Sequence, residues 1–92
     1  MNNQDVIDRI NSVFEISFEI GREKLKPEMK IFDDLGLDSL DIVDLIVALQ
    51  KKFNIRIRDD ERVRQIRTLG DVHHFVLILK AEGLIPDIGK RG

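Results

Sequence analysis

The sequence predicts an all-α fold: a bundle of four helices with a long first loop and a short third helix. Three observations predict it. Apolar residues recur at three- and four-residue spacing in three separate segments, which is helical periodicity. Two of those segments open on capping signals, Asp38 with Asp41 and Thr68 with Asp71. The single stretch of strand-like alternation, Ile55-Arg56-Ile57-Arg58, has no second stretch to pair with, and a lone edge is not stable. Ninety-two residues supply one domain, and an apolar content of 42% is enough for its core and too high for a disordered chain.

The first helix is expected from about Gln4 to Ile16, with Val6, Ile7, Ile10, Val13 and Phe14 forming one apolar stripe. Asn3 is its expected N-cap, and Asp5 and Asp8 suit the positive end of the helix dipole. Gly21 breaks the pattern and Pro27 prevents a helix from continuing. A loop from about Ser17 to Leu37 follows, with Leu25, Met29, Ile31, Phe32 and Leu35 as its expected anchors. The second helix starts near Asp38 or Ser39 and runs to about Phe53. Leu40, Ile42, Val43, Leu45, Ile46, Val47, Leu49 and Phe53 give it an apolar face broad enough to suggest burial on more than one side. Asn54 stops it, and the segment beyond is read as an extended loop that drops Ile55 and Ile57 into the core.

Asp59-Asp60-Glu61 reads as the N-terminus of a short third helix ending near Gln65. The last helix follows the Thr68/Asp71 box, with Val72, Phe75, Val76 and Leu79 as core and Gly83 as its C′ residue. Residues 1–83 are therefore expected to form the bundle, and residues 84–92 a tail with only Leu84, Ile85 and Ile88 as anchors.

Composition narrows the function. There is no cysteine, which excludes disulfides and cysteine-based metal sites or nucleophiles. No apolar run approaches the roughly 20 residues that span a bilayer, and no secretory signal pattern opens the chain. A soluble, cytoplasmic monomer without membrane insertion is the expectation. The net charge is −2, but it is unevenly spread. From Asp33 to Asp44 there are five carboxylates (Asp33, Asp34, Asp38, Asp41, Asp44) and no base, whereas Lys51 to Arg67 holds seven bases and three acids. The basic segment lacks interleaved aromatics, so base stacking is unsupported and no nucleic-acid partner is expected.

The informative stretch is Asp33-Asp34-Leu35-Gly36-Leu37-Asp38-Ser39-Leu40-Asp41. It sets a serine at a loop-to-helix junction among carboxylates, with no base spaced to activate it; His73 and His74 belong to the last helix. Such a hydroxyl is poorly placed to catalyse and well placed to be modified by an enzyme with a basic docking surface. Other readings are simpler: Asp38, Ser39 and Asp41 as helix caps only, or the aspartates as a calcium loop. The calcium reading lacks the alternating ligands and the twelfth-position glutamate. Adjacent histidines on a helix diverge by about 100°, so His73 and His74 cannot chelate one metal together and read as a solvated or half-buried pair.

The segment Asp34-Leu35-Gly36-Leu37-Asp38-Ser39-Leu40 closely resembles the phosphopantetheine attachment motif of acyl carrier proteins. Asp41, Ile42, Val43, Asp44, Leu45, Ala48, Leu49 and Phe53 resemble that family's recognition helix, and Phe32, Ile57 and Thr68 fall where similar residues are expected. The likeness spans roughly residues 4–82 and implies an acyl-carrier-like four-helix bundle. It implies a covalent 4′-phosphopantetheine arm, taken from coenzyme A and attached to Ser39, that holds acyl groups as thioesters. The chain would then be a carrier and not an enzyme, serving fatty-acid, lipid or polyketide-type biosynthesis. Its partners would be a phosphopantetheinyl transferase and acyl-transfer, ketosynthase or acyl-ligase type enzymes. Asp38, Asp41 and Asp44 would dock those partners. Peptidyl carriers usually have a second glycine and often a histidine before the serine, where this chain has Leu37-Asp38. Taken with the apolar pattern, the likeness also implies an expandable acyl pocket lined by Val43, Ile46, Val47, Leu49, Ile66, Leu69, Val72 and Phe75.

One departure stands out. Gln50, Lys51 and Lys52 occupy a stretch where a fatty-acid-synthesis carrier usually has glutamates, and five arginines follow. Basic partner patches would be repelled there, which points to dedicated partners and makes Lys51 and Lys52 docking candidates. The competing class of function is a helical interaction module that carries no arm and uses its basic surface alone.

Overall fold

The computed structural model describes residues 2–57 and 61–85. Four α-helices are present, α1 (Asn3–Ser17), α2 (Ser39–Phe53), α3 (Glu61–Arg64) and α4 (Leu69–Ala81), and no strand occurs among the described residues. A single 3₁₀ turn, Arg22–Lys24, interrupts the long loop between α1 and α2. The expected Asp59-Asp60 start of α3 and the expected tail anchor Ile88 lie outside the described residues.

Three helices begin with the same device. At α1 the cap is Asn2, not the expected Asn3: Asn2 Oδ1 accepts from the Asp5 N–H at 2.8 Å, and the Asp5 carboxylate faces the Asn2 N–H. The cap falls one residue earlier because the reciprocal bond needs its aspartate three residues on, and Asp5 serves only position 2. Asp38 with Asp41 and Thr68 with Asp71 repeat the box at α2 and α4, as the sequence predicts. The far ends are equally defined. Asn54 ends α2 in the left-handed region at φ 54°. Gly83 does so beyond α4 at φ 77°, its N–H bonded to Lys80 C=O and the Leu84 N–H to Leu79 C=O, the paired bonds of a Schellman motif.

The core is one apolar cluster. Val6, Ile10, Val13 and Phe14 of α1 meet Leu45, Leu49 and Phe53 of α2 and Leu69, Val72, Phe75, Val76 and Leu79 of α4. Each fully buried Leu or Phe contributes about 1.5–3 kcal/mol by leaving water. Ile55 closes the cluster from the extended segment after α2 and Ile57 packs beside it, held by a 2.7 Å bond from the Ile57 N–H to Gln50 Oε1. The long loop is anchored by Leu25, Ile31 and Leu35, with Met29 half-buried.

That loop is also tied to the start of α4. Ile31 N–H donates to Arg67 C=O at 2.9 Å, Leu69 N–H to Met29 C=O at 2.9 Å and Gly70 N–H to Pro27 C=O at 2.8 Å. The approach is close enough that a Cβ on Gly70 would stand 3.0 Å from the Pro27 carbonyl oxygen.

Two expectations are corrected here. Phe32 is not an anchor: it is 45% exposed, because Ile31 and Leu35 take the inward positions of the turn on either side. Nor is α2 buried on several sides. Leu45, Leu49 and Phe53 face the core, while Leu40, Val43 and Val47 are 75%, 60% and 43% exposed. The breadth of the apolar face exceeds what packing uses, so the surplus is left on the surface.

Candidate functional site

The turn from Lys30 to Leu37 delivers the chain to the start of α2. The Asp34 carboxylate accepts from the Lys30 N–H at 2.8 Å, and the Asp34 and Leu35 amides both return to the Lys30 carbonyl. Gly36 takes φ 72°, which a side chain would strain, and the Leu37 N–H then bonds Ile31 C=O at 3.1 Å. Asp34 is thus a structural clamp as well as part of the acidic segment. Ile31 and Leu35 fix the turn from beneath, so the residues that follow are held by the core although they lie outside it.

Ser39 is the first residue of α2 and is exposed. Asp38 precedes it in extended conformation as the cap; its Oδ1 accepts from the Asp41 N–H at 3.0 Å, and Asp41 Oδ2 accepts from the Asp38 N–H at 3.0 Å. The cap uses the amide of Asp41 and leaves those of Ser39 and Leu40 without an acceptor among the described residues. Free amides at the positive end of a helix favour a phosphate-sized anion, so this junction fits a phosphodiester on the serine oxygen. One turn along, Asp44 is exposed with no side-chain partner among the described residues.

In the first turns of α2 after Ser39 the exposed apolar side chains are Leu40 and Val43, alternating in sequence with Asp38, Asp41 and Asp44, and Phe32 of the preceding turn is exposed as well. Leu40, Val43 and Val47 follow helical spacing and form a stripe along α2 with carboxylates beside its N-terminal half. Sequence periodicity alone cannot separate this stripe from core; the signal that could is the aspartates at 38, 41 and 44, which cannot be buried unpaired beside it.

The eight residues expected to line an acyl pocket are not gathered round one space. Leu49, Leu69 and Val72 are fully buried, Ile46 is half-buried, and Val43 and Val47 face outward. Ile66 and Phe75 do line a cavity of about 260 Å³ between α3 and α4, whose other walls include Arg62, Gln65, Asp71 and His74. The Arg62 guanidinium lies 5.6 Å from the centre of the Phe75 ring and pairs with Glu82 at 3.1 Å.

The histidines divide rather than pair. His74 is exposed. His73 is buried, and its Nε2 donates to Asn11 Oδ1 of α1 at 2.9 Å; burial holds this imidazole below the ordinary histidine pKa. Its hydrogen bond is therefore committed to α1 and not to Ser39. The Asp71 carboxyl is held below its usual value chiefly by the Arg67 N–H at 2.9 Å, with Thr68 assisting, so it serves the start of α4.

The comparisons with known proteins agree with this geometry. Residues 5–76 match the family model described as the phosphopantetheine attachment site. The chain is 42% identical over 71 residues to an acyl carrier protein of Wolinella succinogenes, covering 77% of this chain and 92% of that one. It is 39% identical over 72 residues to acyl carrier protein 2 of Ralstonia nicotianae (78% and 88% covered), and 33% over 76 residues to an acyl carrier protein of Thermosynechococcus vestitus (83% and 93%). The match to the phosphopantetheine attachment family places the chain in the class of prosthetic-group carriers. Within it, this chain belongs to the acyl carrier protein family. It is a carrier and not an enzyme, and membership implies a covalently attached 4′-phosphopantetheine together with a phosphopantetheinyl transferase and acyl-handling enzymes as partners. No helix among the described residues is long and apolar enough to cross a membrane.

Proposed function

We propose that Ser39 bears the 4′-phosphopantetheine arm and that the chain presents acyl thioesters to biosynthetic enzymes which dock on the N-terminal half of α2. The observation that carries this is the exposed serine at the first position of α2, beside amides with no acceptor among the described residues and flanked by acidic and apolar side chains. The arm supplies a terminal thiol on which an acyl group is held. The chain supplies the rest. Ile31, Leu35 and the Asp38–Asp41 box hold the serine in one place, so a transferase meets a fixed hydroxyl. Asp38, Asp41 and Asp44 attract basic partner surfaces and orient them, while Leu40 and Val43 supply apolar area that becomes buried on docking.

Residues 1–83 constitute the carrier domain in this reading, acting as a cytoplasmic monomer. Of the eight pocket candidates, Ile66 and Phe75 line the cavity between α3 and α4; Leu49, Leu69 and Val72 are fully buried in the core, where an acyl chain would have to displace packed side chains. The acyl group belongs to fatty-acid, lipid or polyketide-type synthesis, with partners that tolerate Lys51 and Lys52 near the end of α2.

Intact-mass spectrometry tests the assignment. Incubation with coenzyme A, magnesium and a broad-specificity phosphopantetheinyl transferase is expected to add one arm to the wild-type chain and none to folded Ser39→Ala. Addition to the Ser39→Ala variant would overturn it.

A further inference from the structure

The basic segment separates into used and unused charges. Arg62 is paired with Glu82 and lies against Phe75, and Arg67 donates to the carbonyls of Arg64 and Ile66. Lys51, Lys52 and Arg56 have no ion pair or side-chain hydrogen bond among the described residues.

Two grooves meet at Lys51. One, of about 330 Å³, lies between α1 and α2 and is lined by Val13, Ile16, Ala48, Lys51 and Lys52 together with Ser12 and Ser17. The other, of about 520 Å³, is bounded by Val47, Lys51, Ile55 and Arg56 among its walls. Ile16 stands 75% exposed beside the first groove. Among the described residues no carboxylate lines either one. Lysines in the last turn of a helix complement its terminal carbonyls, which accounts for Lys51 and Lys52. It does not account for the exposed Ile16, for Arg56 beyond the helix, or for the lack of any acid among the described residues that line the grooves.

We infer that this strip docks an acidic amphipathic protein segment, one whose carboxylates flank apolar side chains. Its apolar residues cover Ile16, Ala48 and Val47, and its carboxylates face Lys51, Lys52 and Arg56. A planar anionic lipid surface is the competing occupant, and the vesicle probe below separates it from a protein segment. Twelve residues of helix separate Ser39 from Lys51, about 18 Å at 1.5 Å per residue. One helix therefore offers an acidic site at the serine end and a basic site at the other, and a partner held at the second leaves Ser39 open. The inference deepens the proposed carrier role by giving the chemistry of a dedicated partner, and its geometry does not depend on the arm.

The test uses three probes on the isotope-labelled full chain, followed by backbone amide NMR: a synthetic Glu/Leu helical peptide, its Lys/Leu counterpart, and phosphatidylcholine vesicles containing phosphatidylglycerol. The Glu/Leu peptide is expected to shift Ile16, Ala48, Lys51 and Lys52. K51E/K52E should weaken that binding by about tenfold or more through like-charge opposition. K24E/R64E, an equal change of charge at exposed positions elsewhere, should alter it by no more than about twofold. Shifts centred elsewhere, equal weakening by both variants, or a response to vesicles alone would overturn the inference. Ser39→Ala should bind the peptide as wild type does. Loading of each sample is read separately by mass, so failure of the arm assignment and failure of the docking site give different results.

Discussion

Replacing Asp38 separates its two roles. Its carboxylate accepts the Asp41 N–H at 3.0 Å and stands at the positive end of α2, and its own N–H is held by Asp41. Asp38→Ala removes the cap bond, a loss of about 1 kcal/mol, and the charge–dipole attraction, about 0.3–1 kcal/mol at an exposed site. A total of about 1.5 kcal/mol corresponds to a fall in Tm of about 6–12 °C for a domain of this size. Asp38→Ser keeps a cap of similar quality and loses only the charge, so it should cost no more than about 0.5 kcal/mol. Urea unfolding followed by circular dichroism measures both. If partner docking depends on the carboxylate charge, the two variants should slow arm loading alike despite their unequal stability. An Asp38→Ala protein within about 0.3 kcal/mol of wild type would show that the cap does not hold the start of α2, and an Asp38→Ser protein as unstable as Asp38→Ala would show that a cap bond without the charge does not suffice.

The remaining predictions use the same contrast between packing and surface. Leu45→Ala should destabilise by about 2–5 kcal/mol in urea unfolding because the residue is fully buried, whereas Leu40→Ala should stay within about 0.5 kcal/mol and instead raise the KM of the loading enzyme. Gly70→Ala should destabilise by about 1 kcal/mol in the same assay, since its Cβ would crowd the Pro27 carbonyl by more than helix propensity returns. Acidification should weaken the fold through His73: its folded pKa lies below the unfolded value, so the unfolded state binds the extra proton. Stability present above about pH 6.5 is then lost as pH falls from there toward the folded pKa, and His73→Gln should flatten the urea midpoint between pH 7.5 and 5.5. The Asp71 contribution disappears only at lower pH, since the Arg67 N–H holds its carboxyl below the usual aspartate range.

Much of this molecule is legible in its sequence because its helix boundaries are written in short-range chemistry. The boxes at Asp38 and Thr68, the stop at Asn54 and the Gly83 terminator each depend on residues within one or two turns. The start of α1 is less legible: two asparagines stand side by side, and only the spacing to Asp5 decides for Asn2 over the expected Asn3. What periodicity cannot supply is which apolar residues find partners. Phe32, Leu40, Val43 and Val47 have the same hydrophobicity as the residues that pack, and only the course of the long loop and the placement of α4 decide that they face outward. His73 is similar: its burial against Asn11 is a contact between residues 62 apart in sequence. The serine motif was readable because it combines a local cap with an unusual density of carboxylates, whereas the grooves around Lys51 depend on α1 and α2 meeting and are invisible in either segment alone.

Peptide-level mass spectrometry of the loaded chain locates the arm that the proposal assigns to Ser39. Trypsin releases Ile31 to Lys51 as one peptide, in which Ser39 is the sole hydroxyl residue. This peptide alone is expected to gain the phosphopantetheine mass and to lose it as the characteristic fragment on collision. An arm found on a peptide containing Ser12, Ser17 or Thr68, or a folded chain that accepts none, would contradict it.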